Sequence, residues 1–190
     1  MTTDFLRFLD LAERVVNLAQ TRLKALGSTH GLQLVHVQIL NYLAAANRYS
    51  NTPLAVAEYL GLTKGTVSQS LILLEEKGFL ARAPDARDRR VVRLALTPEG
   101  EAVVKAVEGE GAHRLQARAG DLPEHLLADL TQVLRRLQIL EGRRSFGVCR
   151  TCRHHLADGE GLWRCGLTGE TLASADGDKI CREHEAAAVN

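Results

Sequence analysis

From Asp4 to about Ala25, apolar residues recur every three or four positions at Phe5, Leu9, Ala12, Val16, Ala19 and Leu23, tracing one face of a helix that Gly27 is expected to end. A second apolar helix is expected from Leu32 to about Asn47, followed by a polar connection through Tyr49, Ser50 and Asn51. Thr52-Pro53 reads as an N-cap followed by proline at the first helical position, where its missing N–H is no loss. That helix is short, because Gly61 interrupts it; another begins near Thr63 and stops at Gly78. The period then changes: Phe79 to Arg82 and Val91 to Leu96 read as two strands enclosing a polar tip, Pro84 to Arg90. Thr97-Pro98-Glu99 opens a long helix to about Ala119, and Asp121 to Glu124 opens another to about Gly142. In the last helix Leu127, Leu130, Leu134 and Leu137 form a narrow seam with near-heptad spacing, which calls for a partner helix. Beyond Ser145 glycine, cysteine, histidine and aspartate dominate, which puts a boundary near Arg144.

The fold class expected is mainly α: a winged helix-turn-helix with a small β-hairpin wing, a helical dimerisation region and a small C-terminal metal-binding module. The divisions are 1–48, N-terminal dimerisation helices; 49–97, the winged helix-turn-helix; 98–143, C-terminal dimerisation helices; and 144–190, the cysteine module. Composition changes this picture little. A net charge of +1 supplies no global basic field, so binding to nucleic acid has to come from locally clustered Lys and Arg. No apolar run approaches the length of a membrane span, and Asp4 and Glu13 break the apolar character of the N-terminus, so a soluble cytoplasmic protein with no membrane association is expected.

A helix-turn-helix needs a second helix whose inner face locks onto the first while its outer face stays polar for DNA. Leu54, Ala57 and Leu60 are expected to form the inner face of the first helix, Gly61-Leu62 the turn, and Val67, Leu71 and Leu74 the inner face of the second. Thr63, Lys64, Thr66, Ser68 and Gln69 then face outward, able to donate to phosphates, and Gln69 can also pair with adenine in the major groove. Gly65 lets the backbone approach closely. The hairpin tip, Asp85-Ala86-Arg87-Asp88-Arg89-Arg90, with Arg82 and Arg93 on the flanking strands, offers guanidinium groups to a minor groove or to phosphates.

The runs Leu60 to Ser68 (LGLTKGTVS), Leu74 to Leu80 (LEEKGFL), Asp85 to Arg90 (DARDRR) and Leu96 to Gly100 (LTPEG) occur in an order and spacing that resemble the MarR family of regulators over roughly Leu6 to Leu140. The resemblance implies a homodimer built from the N-terminal helix and the last two helices, with winged domains on two half-sites of double-stranded operator DNA. It also implies repression relieved by a small-molecule effector or by cysteine oxidation. Carried over by position, the recognition-helix contacts fall on Thr63, Lys64, Thr66, Ser68 and Gln69, and the wing contacts on Arg87 and Arg89, with Arg90 a weaker candidate. The cysteine-bearing tail departs from the family pattern and is a place for regulatory input.

All four cysteines lie in that tail. Cys149 and Cys152 can chelate one ion from a tight turn, and Cys165 and Cys181 can complete a tetrahedral shell when the loops between them fold back. Four soft sulfurs suit Zn²⁺ or iron, and a stretch this poor in apolar residues needs such an ion to fold. We take structural Zn²⁺ first and an iron–sulfur cluster as the alternative, since the spacing matches neither a zinc ribbon nor the usual ferredoxin runs. Arg150, Arg153, Arg164 and Arg182 are placed to offset thiolate charge; His154, His155 and His184 are read as exposed or supporting residues, and Trp163 as packing over the module. A small redox or electron-transfer protein using the cysteine cluster is the alternative function. It would place the Cys pair at the start of a helix in a βαβ pattern, which this sequence lacks. There is no nucleophilic triad, carboxylate pair or phosphate-binding glycine loop, so catalysis is not expected.

Overall fold

Three threonines set the frame of the fold. In the computed structural model, which describes residues 3–107, 109, 117, 120–159 and 162–187, Thr52, Thr63 and Thr97 each accept a hydrogen bond from the backbone N–H three residues on, at 3.1 to 3.2 Å, and each opens a helix. The elements run α1 Thr3–Thr29, α2 Leu34–Ala45, α3 Pro53–Leu60, α4 Lys64–Glu76, β1 Leu80–Pro84, β2 Val92–Leu96, α5 Pro98–Ala106 and α6 Leu126–Leu140. The module follows with β3 Gly147–Val148, β4 His155–Ala157, β5 Trp163–Cys165, β6 Thr171–Leu172 and β7 Ile180–Cys181, and with 3₁₀ turns at Cys149–Thr151 and Ser174–Asp178. β1 and β2 pair antiparallel from Leu80 opposite Leu96 to Pro84 opposite Val92, forming the wing. The chain is thus mainly helical with a winged helix-turn-helix.

The core is built by α2 to α5 and the base of the wing: Val37, Ile39, Leu40, Val56, Val67, Leu71, Leu74, Leu80, Leu94 and Val103 are each at most 2% exposed. Burying each of these contributes about 1.5–3 kcal/mol, and together they fix the angle between α3 and α4. α6 has no buried residue, and α1 only Gly27.

Several expectations are corrected. Gly27 does not end α1, which continues to Thr29; its hydrogen side is pressed against the loop, so that a Cβ there would lie 2.8 Å from Leu32 O and from a Val37 methyl. The second helix covers Leu34–Ala45 rather than reaching Asn47. The following connection is polar but not all exposed: Ser50 is 0% and Asn47 5% exposed, because each hydroxyl, amide and carbonyl finds a partner. Ser50 Oγ donates to Asn47 Oδ1 at 2.7 Å, and Tyr42 Oη donates to Ser50 O at 2.9 Å. On α3 the inner face is Ala55, Val56 and Ala57, whereas Leu54 is exposed. The last helix opens at Leu126, two residues beyond the expected Asp121–Glu124 start, with no side-chain cap. The expected run of α5 to Ala119 falls largely outside the described residues.

His36 carries a pH prediction. It is 6% exposed, its Nδ1 accepts from Gln33 N at 3.1 Å, and burial, helped by the Lys77 charge, lowers its pKa below 6.5. The unfolded chain therefore binds a proton that the folded chain refuses, so this contribution to stability is whole above pH 6.5 and declines as pH falls below it. The melting temperature is expected to drop between pH 7.5 and 5.5, and less so in His36→Gln; equal drops in the two proteins would remove His36 from the explanation.

Candidate nucleic-acid interface and cysteine cavity

Gly61, at φ 66°, closes α3 in the left-handed conformation, and Leu62 N returns to Ala57 O at 2.9 Å, so the chain turns sharply into α4. Val67, Ser70, Leu71 and Leu74 point into the core. Thr63, Lys64, Thr66, Ser68 and Gln69 are consequently all exposed on the opposite face. Two of them also serve the helix itself: the Thr63 and Thr66 hydroxyls bond each other at 2.9 Å while Thr63 caps α4. Lys64, Ser68 and Gln69 leave their side chains to solvent.

The wing is organised by Asp85. Its carboxylate accepts from the amides of Arg87 and Asp88 at 2.8 and 3.0 Å and from Arg93 Nε at 2.6 Å. The Arg93 hydrogen bond, then the two amides, hold its pKa down to about 2, so the tip keeps this shape across any working pH. Arg93 also donates to Arg48 O at 2.8 Å, and Arg82 Nε to Glu75 at 2.7 Å. Both strand arginines are therefore engaged within the fold rather than offered to DNA. Arg90 pairs with Asp88 at 3.0 Å. Of the two wing residues expected to touch DNA, Arg89 is exposed and forms no ion pair among the described residues, whereas Arg87 is ion-paired to Glu170 of the cysteine module.

The four cysteines are brought together. Cys149, Cys152, Cys165 and Cys181 all border one cavity of about 20 Å³, shared with Asn47, Tyr49, His154, His155, Leu167, Leu172 and Glu183. The space is about that of a single water or ion. Cys149 N donates to Lys179 O and Cys152 N to Cys149 O, at 2.9 and 3.0 Å, which turns the first pair inward. Burial, then the neighbouring Cys181, Cys152 and Cys165, push the Cys149 thiol up to about 11. Among the described residues, no three His, Cys, Asp or Glu donors stand at the spacing of a metal shell. What the fold supplies is four sulfurs around one small cavity, with the thiols still apart.

The histidines and Trp163 lie around the cysteines as supporting residues, whereas the arginines depart from expectation. His155 touches Cys149 Sγ through Nδ1 at 3.6 Å and stacks on Trp163 with centroids 4.5 Å apart. His184 is 4% exposed, its Nε2 bonded to Thr151 at 2.9 Å and its Nδ1 buried without a partner among the described residues. The four arginines expected to balance thiolates are each paired to carboxylates instead: Arg150 to Asp178, Arg153 to Glu185, Arg164 to Asp158, and Arg182 to Glu58 and Glu183.

The module is docked on the winged domain by contacts that sequence reading missed. Arg182 forks onto Glu58 at 2.6 and 2.9 Å and its amide donates to Ser50 Oγ at 2.8 Å. Lys179 Nζ donates to Ala44 O at 2.6 Å at the end of α2, and Asn47 N to Ile180 O at 2.9 Å. Phe146, at φ 37°, sets its ring edge-on to Tyr59, which in turn lies 4.5 Å from Tyr42. Glu170 holds Arg48 at 2.9 Å and accepts from Tyr49 Oη, and these hydrogen bonds and charges keep its carboxyl below the usual range. Each contact between the module and the winged domain joins residues at least 87 positions apart in sequence, which is why no local pattern announced them.

A recognition helix with one face locked in a core, followed by an arginine-tipped hairpin, defines a winged helix-turn-helix DNA-binding protein. Residues 30–91 match the model of the MarR family. The structure is similar to the transcriptional regulator BldR from Sulfolobus solfataricus, with 21% identity and a TM-score of 0.59 over 72% of this chain and 99% of that one. It is similar to the S. aureus MepR–DNA complex, with 27% identity and a TM-score of 0.54 over 72% and 97%. CouR from Rhodococcus jostii RHA1 bound to p-coumaroyl-CoA matches with 20% identity and a TM-score of 0.57 over 67% and 88%. The BldR and MepR matches take in nearly all of those chains and leave more than a quarter of this one uncovered. The fold is that of DNA-binding transcriptional regulators. No helix among the described residues is long and apolar enough to cross a membrane.

Proposed function

We propose that the protein is a homodimeric repressor that binds double-stranded operator DNA through Lys64, Ser68, Gln69 and Arg89, with the capped Thr63 and Thr66 at the phosphate backbone and Arg87 joining when it leaves Glu170. The observation that carries this reading is the exposed polar face of α4, whose opposite face is locked into the core beside a wing tipped with Arg89. Dimerisation is supported by the stripe on α6, where Leu127, Leu130 and Leu134 are 64%, 41% and 54% exposed, and by Leu9 and Val16 on α1, 41% and 49% exposed. A second copy would bury both and set the spacing of two recognition helices.

The cysteine cavity is proposed to hold a metal, Zn²⁺ first and an iron–sulfur cluster as the alternative, on Cys149, Cys152, Cys165 and Cys181; a small closure of the loops would bring the sulfurs to bonding distance. A small-molecule effector would fit the cleft of about 580 Å³ between α6 and the module, where Arg135 and Gln138 each bury a polar atom with no partner among the described residues, beside Tyr59 and Phe146. CouR, a structural neighbour, is bound to p-coumaroyl-CoA. Ligand binding there would favour one spacing of the recognition helices over another.

Duplex selection followed by titration tests the DNA surface. Lys64→Ala or Arg89→Ala is expected to weaken binding to all sequences and lower the salt slope by about 0.9. Gln69→Ala is expected to relax the preference at one base pair by about 1–3 kcal/mol. Binding unchanged in all three variants at fixed moderate salt would place the DNA surface elsewhere.

A further inference from the structure

We propose that Glu170 of the cysteine module stands in for a DNA phosphate: it occupies Arg87 of the wing and Arg48 beside the helix-turn-helix, and so sets how tightly the winged domain binds duplex DNA. The inference rests on the DNA-binding reading above and names an internal control on it. One carboxylate oxygen pairs with Arg87; the other pairs with Arg48 at 2.9 Å and accepts from Tyr49 Oη. Carboxylate and phosphate use the same guanidinium donors, so the two anions compete for one fork. The geometry favours competition over permanent anchoring. The Glu170 side chain is only 20% exposed and is held by Arg48 and Tyr49, whereas the Arg87 side chain is 79% exposed, so its pair with Glu170 is screened and readily exchanged.

The position of Glu170 in the chain ties this contact to the cysteines. Gly169 N donates to Cys165 O at 2.8 Å and Cys165 N to Glu170 O at 2.9 Å, so Cys165 and Glu170 face each other across one closed turn. Tyr49 borders the cysteine cavity and bonds Glu170 as well. A rearrangement of Cys165 is therefore transmitted to the carboxylate over a single hydrogen-bonded turn. Glu170 is a positioning residue: it reaches DNA only through the arginines it holds or releases.

Binding of the full-length protein to a 30-base-pair duplex, titrated by fluorescence anisotropy at several salt concentrations, tests this. Glu170→Gln is expected to bind about fivefold to tenfold more tightly near 0.1 M salt, with a salt slope steeper by about 0.9, the signature of one added phosphate contact. Adding Arg87→Ala to that variant is expected to remove the gain. In the native background Arg87→Ala is expected to cost less affinity than Arg89→Ala, because Arg87 is already neutralised; this comparison does not depend on the module tolerating a change at Glu170. Glu170→Gln binding equally or more weakly at an unchanged slope, or equal losses from the two wing variants, overturns the proposal while leaving the DNA-binding reading intact. A native protein that binds no duplex at any salt overturns both.

Discussion

Cys149→Ser is expected to purify without metal and with its C-terminal module unfolded, while α2 to α5 keep their structure. Among the described residues beyond Arg144 the buried apolar ones are Cys149 and Leu172, and the strands are two or three residues long. Such a unit cannot offset its chain entropy by burial. Docking through Arg182, Lys179 and Phe146 helps, but the ion pairs are partly exposed and each contributes little. A structural Zn²⁺ contributes about 10–16 kcal/mol to folding in small domains, which makes loss of one ligand the largest single effect expected in this chain. Trp163, the only tryptophan, stacks on His155 inside the module, so its fluorescence reports the module alone. A red shift and rapid cleavage near Arg144 are expected in the variant, with little change in helical circular dichroism. Metal content of anaerobically purified native protein identifies the ion: colourless with one zinc per chain, or brown with iron. Native protein carrying neither, and matching the variant in fluorescence and proteolysis, would end the metal proposal.

Gly100→Ala is expected to lower stability by about 3 kcal/mol, the upper end of the cost of overpacking, or about 6–12 °C in melting temperature for a chain of this size. A Cβ there would lie 2.0 Å from Phe79 O and 3.1 Å from Phe79 C, both backbone atoms. The start of α5 has no room to retreat. Thr97 N donates to the same Phe79 O at 3.2 Å, Thr97 Oγ1 donates to Gly78 O at 2.6 Å, and Thr97 Oγ1 accepts from Gly100 N at 3.1 Å. Moving α5 would pull on the junction of α4 and β1, so DNA affinity is expected to fall with stability. Gly65→Ala is the matched comparison. The nearest atom to its Cβ would be Thr63 Oγ1 at 3.8 Å, and the gain in helix propensity is up to about 1 kcal/mol. A Gly100→Ala protein melting within about 2 °C of native would show that this contact is looser than described.

What could be read in advance was governed by neighbours in sequence. Thr52-Pro53, Thr63 and Thr97-Pro98 announce helix starts because the capping hydroxyl and the amide it satisfies are three residues apart. Val67, Leu71 and Leu74 announce the inner face of the recognition helix because a helix repeats every 3.6 residues. The same periodicity misplaced Leu54, since in a helix of eight residues it leaves more than one face open. Gly27 reads as a stop in sequence because glycine serves both as a helix terminator and as a site of close backbone approach, and only the position of Leu32 and Val37 distinguishes the two.

The cysteine spacing by itself predicts a soft-ligand set in the tail, and the caps, turns and arginine-tipped hairpin determined a winged helix-turn-helix. Tertiary structure alone decided which charges are available for DNA. Arg82, Arg87 and Arg93 look alike in sequence to Arg89, yet each is taken up by Glu75, Glu170 or Asp85. Tertiary structure likewise decided that Ser50 is buried and that the module leans on α2, α3 and the wing. The reason is physical. Helix caps and periodic faces are local interactions encoded within a few residues, whereas an ion pair or a buried hydroxyl is satisfied by whichever partner the completed fold brings within about 3 Å.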